Sequence, residues 1–131
     1  MNRKSPAERR YTVFRSSSID FFFLFGYPWG MQNLSKKQRK YLFKQAHSLD
    51  PVIRIGKQGV TDQVIKAIDT ALLDHELIKV KFGEFKEDRH ELAGTIAERS
   101  GAGLVRIIGH IAIYYRPHPE PEERRYVLPV E

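Results

Sequence analysis

The sequence contains no cysteine. That excludes a disulfide framework, an iron–sulfur cluster, a cysteine-ligated zinc site and a thiol nucleophile, and it is compatible with a reducing compartment. A membrane-spanning run is lacking too. The apolar stretch from Ile19 to Trp29 is too short to cross a bilayer and is interrupted by Asp20, Gly26 and Pro28. The residues that follow, Pro28-Trp29-Gly30-Met31-Gln32-Asn33, offer no small-residue cleavage pattern, which argues against a signal peptide. There is no G-x-S-x-G elbow, no Walker loop and no G-x-G-x-x-G fingerprint. The five histidines, His47, His75, His90, His110 and His118, form no i,i+4 helical pair and do not cluster with carboxylates at metal-ligand spacing. They read as surface or capping residues, and Asp69, Asp74 and Glu76 read as solvated charge around a helix end. The expectation is a protein without catalysis, metal or cofactor.

Charge is what the sequence does have. Its 131 residues suit one domain, and 41% hydrophobic with 29% charged residues is a globular composition. Lys and Arg number 22 against 16 Asp and Glu, a net charge of +6, and the isoelectric point is about 9.7. Such a field attracts phosphate backbones or anionic membranes. The excess is shared evenly between residues 1–30, with five basic and two acidic side chains, and residues 31–131, with 17 and 14.

Residues 1–30, Arg- and Ser-rich and then apolar, do not share the pattern of the rest. They read as an extension, either disordered or an artefact of an upstream start with Met31 as the true initiator. From Leu34 onward, helical and strand periods alternate. Ser35 can cap a helix running to about Ser48, with Leu34, Gln38, Tyr41, Leu42 and Gln45 on one face, and Asp50-Pro51 stops it. Val52-Ile53-Arg54-Ile55 is a short strand, Gly56-Lys57-Gln58-Gly59 a loop, and Thr61 the start of a helix with Val64, Ile65, Ile68, Ala71 and Leu72 at three-and-four spacing. Ile78, Val80 and Phe82 alternate with Leu77, Lys79 and Lys81, as in a strand with one covered face. A third helix spans about Glu87 to Arg99, with Leu92, Ala93, Ile96 and Ala97 on one side and Gly101 as its C-terminal cap. Residues 104–108 and 111–115 are strands joined at Gly109-His110. The order α-β-α-β-α-β-β predicts an α/β domain over residues 31–117 with a mixed four-stranded sheet. Residues 118–131 read as an extended tail, docked through Tyr126, Val127 and Leu128.

The glycine loop is the first functional candidate. Nine glycines in 131 positions give roughly 0.6 G-x-x-G pairs by chance, so the bare pattern is weak and an ordinary turn explains it as well. Its position before a helix N-terminus adds weight, because unpaired amides and the helix dipole favour phosphate there and glycine lets a backbone approach closely. Lys57 adds a cation at the tip. Lys36, Lys37, Arg39, Lys40 and Lys44 put five cations on the first helix with no intervening acid. Arg54 precedes the loop, while Lys79 and Lys81 are expected on the uncovered face of their strand. If these surfaces adjoin, they form a phosphate-tracking groove.

Four segments together carry a family resemblance. Leu34-Ser35-Lys36-Lys37-Gln38-Arg39, Pro51-Val52-Ile53-Arg54-Ile55-Gly56-Lys57-Gln58-Gly59-Val60-Thr61, His75-Glu76-Leu77-Ile78-Lys79-Val80-Lys81, and Ile108-Gly109 through Tyr115-Arg116-Pro117 closely resemble the CRM domain, especially its stand-alone bacterial YhbY-like members. The resemblance covers residues 33–117. It implies an RNA-binding module, associated in the stand-alone members with precursors of the large ribosomal subunit; plant-organelle relatives act in group II intron splicing. The implied fold is the order read above, resembling the C-terminal domain of translation initiation factor three. The family's loop corresponds to Gly56, Lys57, Gln58 and Gly59, and its basic surface to the first-helix cations and Arg116. The expectation is a monomeric, cytoplasmic, non-catalytic RNA-binding protein that assists ribosome assembly. A basic module docking an acidic protein or an anionic membrane is the alternative.

Overall fold

The computed structural model describes residues 33–83 and 88–130. The expectations for residues 1–30 fall outside them. Helix α1 spans Lys36–Gln45 and continues as a 3-10 turn, Ala46–Ser48. Strand β1 (Pro51–Ile55), helix α2 (Asp62–His75), strand β2 (Leu77–Phe82), helix α3 (Arg89–Ser100), and strands β3 (Gly103–Ile108) and β4 (Ile111–Tyr115) follow in order. Among the described residues this is a single α/β domain with three helices on a mixed four-stranded sheet of order β1-β2-β4-β3. β1 and β2 are parallel, while β4 runs antiparallel to both its neighbours.

Local chemistry sets the boundaries. The Ser35 hydroxyl accepts from the Gln38 N–H and the Gln38 side chain accepts from the Ser35 N–H, each at 3.1 Å, a complete capping box. Thr61 caps α2 by accepting from the Val64 N–H. Gly101 ends α3 at φ +74, where an L side chain is strained. Gly109 turns the β3–β4 hairpin at φ +57.

Two apolar clusters flank the sheet. On one face Ile65, Ile68 and Leu72 of α2 and Ala93, Ile96 and Ala97 of α3 pack on Ile55, Ile78, Val80, Phe82, Ala112 and Tyr114. Each fully buried Ile, Leu or Phe there contributes about 1.5–3 kcal/mol. The other face carries Leu34, Leu42 and Ala46 of the α1 segment on Leu77, Val105, Ile113 and Tyr115. Gln45, expected on the inward face of α1, is exposed, because the inward stripe runs through Leu42 and Ala46.

The C-terminal segment docks on this second face. Tyr126 and Leu128 join its cluster, whereas Val127, expected to dock with them, is 84% exposed. The docking depends on Glu76, which is 1% exposed and has a positive φ of 66. Its carboxylate accepts the N–H groups of His118 and Arg125, each at 2.7 Å, and its carbonyl accepts the Arg116 N–H. Asp69 is buried as well. The expectation that Asp69 and Glu76 are solvated charges is therefore corrected: the chain folds back over both and supplies their partners. Asp74 is exposed.

Candidate nucleic-acid interface

The glycine loop is an ordered turn at the end of β1. The Gly59 N–H donates to the Gly56 carbonyl at 3.0 Å, leaving Lys57 and Gln58 exposed at the tip. Gly59 has φ +75, so a side chain there would strain the turn, whereas a Cβ on Gly56 would meet nothing within 4 Å. Below the turn, Gly83 passes so close to β1 that a Cβ would sit 3.1 Å from the Ile55 carbonyl oxygen. Loop, strand end and first turn of α2 enclose an open hollow of about 510 Å³, bordered by Arg54, Gly56, Lys57, Gly59, Thr61 and Gln63. The amides of Asp62 and Gln63 have no carbonyl one turn earlier in the helix, and Gln63 lines the hollow. Asp62 offsets part of the helix dipole; its carboxylate pairs with Arg99 at 2.7 Å in a largely exposed bridge.

Arg54 and Lys81 are direct neighbours across the parallel β1–β2 pair. They lie on the α1 side of the sheet, since their neighbours Ile55 and Phe82 face α2 and α3. That side was expected to be uncovered. It is covered at the Leu77 end by α1 and the C-terminal segment, and Lys79 is half-buried with its ammonium donating to the Leu49 carbonyl at 2.8 Å. Lys81 and Arg54 remain toward the open end, next to the glycine loop.

The α1 cations form a second group. Lys36, Lys37, Arg39, Lys40 and Lys44 are all exposed. Their arrangement costs helix stability: the first turn holds no acid, and the pairs Lys36/Lys40 and Lys40/Lys44 put like charges at i,i+4 spacing. Burial of Leu42 and Ala46 holds the helix in place instead. α1 packs on β3, at the opposite edge of the sheet from β1, so the structure presents two cationic groups rather than one continuous patch.

Arg116 belongs to neither group, which corrects its expected role in the basic surface. It is 3% exposed; its guanidinium donates to the Asp69 carboxylate at 2.9 Å and to the Ser100 carbonyl at 2.7 Å. The side chain leaves the end of β4 toward α2 and α3 and ties the two helices together. A cation that the sequence reading missed is Arg106, whose guanidinium lies 4.5 Å from the Phe43 ring centroid. Its signal was a lone exposed charge inside the apolar run of β3.

Among the described residues no three His, Asp or Glu side chains are grouped as metal ligands, and no helix is long and apolar enough to cross a membrane. Burial, reinforced by the Glu76 carboxylate and partly offset by Arg124, pushes the Tyr115 hydroxyl up to about 12. Burial also raises Tyr114, whose hydroxyl donates to the Ala93 carbonyl.

Residues 34–116, more than half of the chain, match the family model of the CRS1/YhbY (CRM) domain. The chain belongs to this family. A Haemophilus influenzae protein named RNA-binding protein is 41% identical over 100 residues, covering 76% of this chain and 98% of the relative. YqeI of Bacillus subtilis, named a probable RNA-binding protein, is 36% identical over 91 residues, 69% of this chain and 95% of the relative. The solution structure of a hypothetical Staphylococcus aureus protein, described as a candidate RNA-binding protein, superposes with a TM-score of 0.62 at 41% identity, covering 73% of this chain and 99% of that one. The CRM match ends at Arg116, so the Glu76 contacts to His118 and Arg125 tie the matched region to the segment beyond it.

Proposed function

We propose that this CRM protein is a non-catalytic RNA-binding protein that associates with ribosomal RNA in large-subunit precursors and assists their assembly, working as a monomer in the cytoplasm. The observation that carries the reading is the glycine turn: Lys57 and Gln58 stand exposed at the lip of a hollow that Arg54 and the first turn of α2 border. A helix N-terminus and a lysine beside one concavity suit a phosphate oxygen, and Lys81 beside Arg54 extends the positive field to the next one. The cations of α1, exposed at a cost to helix stability, supply a second, sequence-independent contact to the backbone. Two such groups on one small domain fit folded RNA, where phosphates of different helices come together and recognition proceeds by shape. The names of the relatives support the RNA-binding part of this reading.

Crosslinking in cells, followed by sequencing of the bound RNA, tests the proposal. Enrichment of large-subunit precursor RNA, with RNase-sensitive co-sedimentation on pre-ribosomal particles, is the expected outcome. Sedimentation that survives RNase would favour docking on an acidic protein instead.

A further inference from the structure

A second hollow lies on the α1 side of the sheet, away from the glycine loop. It measures about 190 Å³ and is lined by Phe43, His47, Lys79, Ile108, Ile111 and Ile113. That is below the roughly 300–1,000 Å³ of ordinary small-molecule pockets and suits a single flat ring system. Its floor is almost wholly apolar, yet it is open, and Ile108 is 44% exposed.

The strand register puts this floor beside the cations. Arg54 pairs with Lys81, Lys81 with Ile111, and Ile111 with Ile108, so one row crosses all four strands with two cations followed by two isoleucines. Strands lie about 4.8 Å apart, which separates the cationic half of the row from the apolar half by roughly 10 Å. A nucleotide has the same polarity, a phosphate at one end and at the other a flat base with apolar faces and a polar edge. Lys79 stands at the wall of the hollow; the Leu49 carbonyl takes one of its three ammonium protons, leaving donors for acceptor atoms on a base edge. Phe43 and His47, in edge-to-face contact at 5.4 Å, form the aromatic side of the hollow.

We infer that the row Arg54–Lys81–Ile111–Ile108 and its adjoining hollow form a nucleotide-reading site that takes one unstacked base of a single-stranded RNA segment. This rests on the RNA-binding reading and narrows it: a duplex keeps its bases stacked and cannot fill the hollow, whereas a loop, bulge or end can. Charge complementarity selects this occupant. A second copy would bring the same cations against these, and an acidic peptide reaches the floor only where an aromatic residue happens to fall at the right distance from its carboxylates, whereas every nucleotide of a single strand carries a phosphate and a flat ring together.

The test uses the full chain with ¹³C-labelled isoleucine δ1 methyls and ¹⁵N-labelled backbone, titrated with a single-stranded RNA dodecamer, an abasic strand of equal length, a duplex of equal length and polyglutamate. Ring currents from a docked base should shift the Ile108 and Ile111 methyls with the single strand and with none of the other three, while the Lys57 and Gln58 amides shift with every RNA backbone. Ile108→Asn should weaken single-strand binding about tenfold and leave abasic-strand binding unchanged. Amide shifts at the loop with isoleucine methyls that stay still would overturn the base site and leave the RNA-binding reading standing. Equal methyl shifts with the abasic strand or with polyglutamate would also overturn it. No shift at either place with any RNA would contradict both readings.

Discussion

The carboxylate of Glu76 accepts the backbone N–H of Arg125 at 2.7 Å, across 49 positions of sequence. The same carboxylate takes the His118 N–H, so one buried side chain satisfies two amides of the C-terminal segment. Glu76→Ala would leave both donors without that partner. Losing the acceptor costs about 1–3 kcal/mol at the buried His118 N–H and less at the part-buried Arg125 N–H, which water can reach, so a combined loss of about 2–3 kcal/mol is expected in denaturant unfolding, with faster tryptic cleavage at Arg124 and Arg125. Glu76→Gly relieves the positive φ and should recover only about 1 kcal/mol of that loss.

Arg116 is a structural residue on this account. Arg116→Met leaves the Asp69 carboxylate buried without its guanidinium, a change expected to cost about 3–5 kcal/mol, and Asp69→Leu in the same chain should restore much of it. RNA affinity, measured where the variant is fully folded, should match wild type. A selective loss of affinity would return Arg116 to the interface.

Alkaline pH should destabilise the protein. The Tyr115 hydroxyl is held at about 12 in the fold against an ordinary 10.0, because burial disfavours the phenolate. Below pH 10 its contribution is fully present. Between pH 10 and 12 the unfolded chain releases a proton that the folded chain keeps, so stability falls as pH rises. In Tyr115→Phe that part of the decline should vanish from urea titrations taken across this range.

The α1 lysines should trade stability for binding. Lys37→Gln with Lys40→Gln removes like-charge neighbours, so thermal stability should hold or rise by a few tenths of a kcal/mol. The slope of log affinity against log salt should flatten by roughly 1.5–2 units for the pair. An unchanged slope would remove α1 from the interface.

Local signals in the sequence account for most of the fold. Ser35, Thr61 and Gly101 announce helix ends through their own chemistry, and Ile111–Tyr115 is bounded by its hairpin turn. What escaped depends on distant partners. Asp69 and Arg116 are 47 residues apart and each reads alone as a surface charge, and Glu76 reads as solvated until the chain returns across it. Lys79 follows strand alternation, but nothing local reveals that the Leu49 carbonyl meets its ammonium. The glycine loop was legible as a motif, and the cations were legible as residues. Their division into two groups was not, because it follows from the strand order β1-β2-β4-β3 rather than from spacing.

The central claim is that the exposed tip of the glycine turn faces an RNA phosphate. The direct measurement is affinity of the full chain for large-subunit precursor RNA, compared with the Lys57→Asp, Gln58→Asp double variant. Both side chains are exposed and both flanking glycines are kept, so the melting temperature should stay nearly unchanged. Negative charge beside the hollow should lower affinity at least tenfold, on the order of 1.4 kcal/mol. A folded double variant that binds the RNA as tightly as wild type would contradict the account and reduce the loop to a turn.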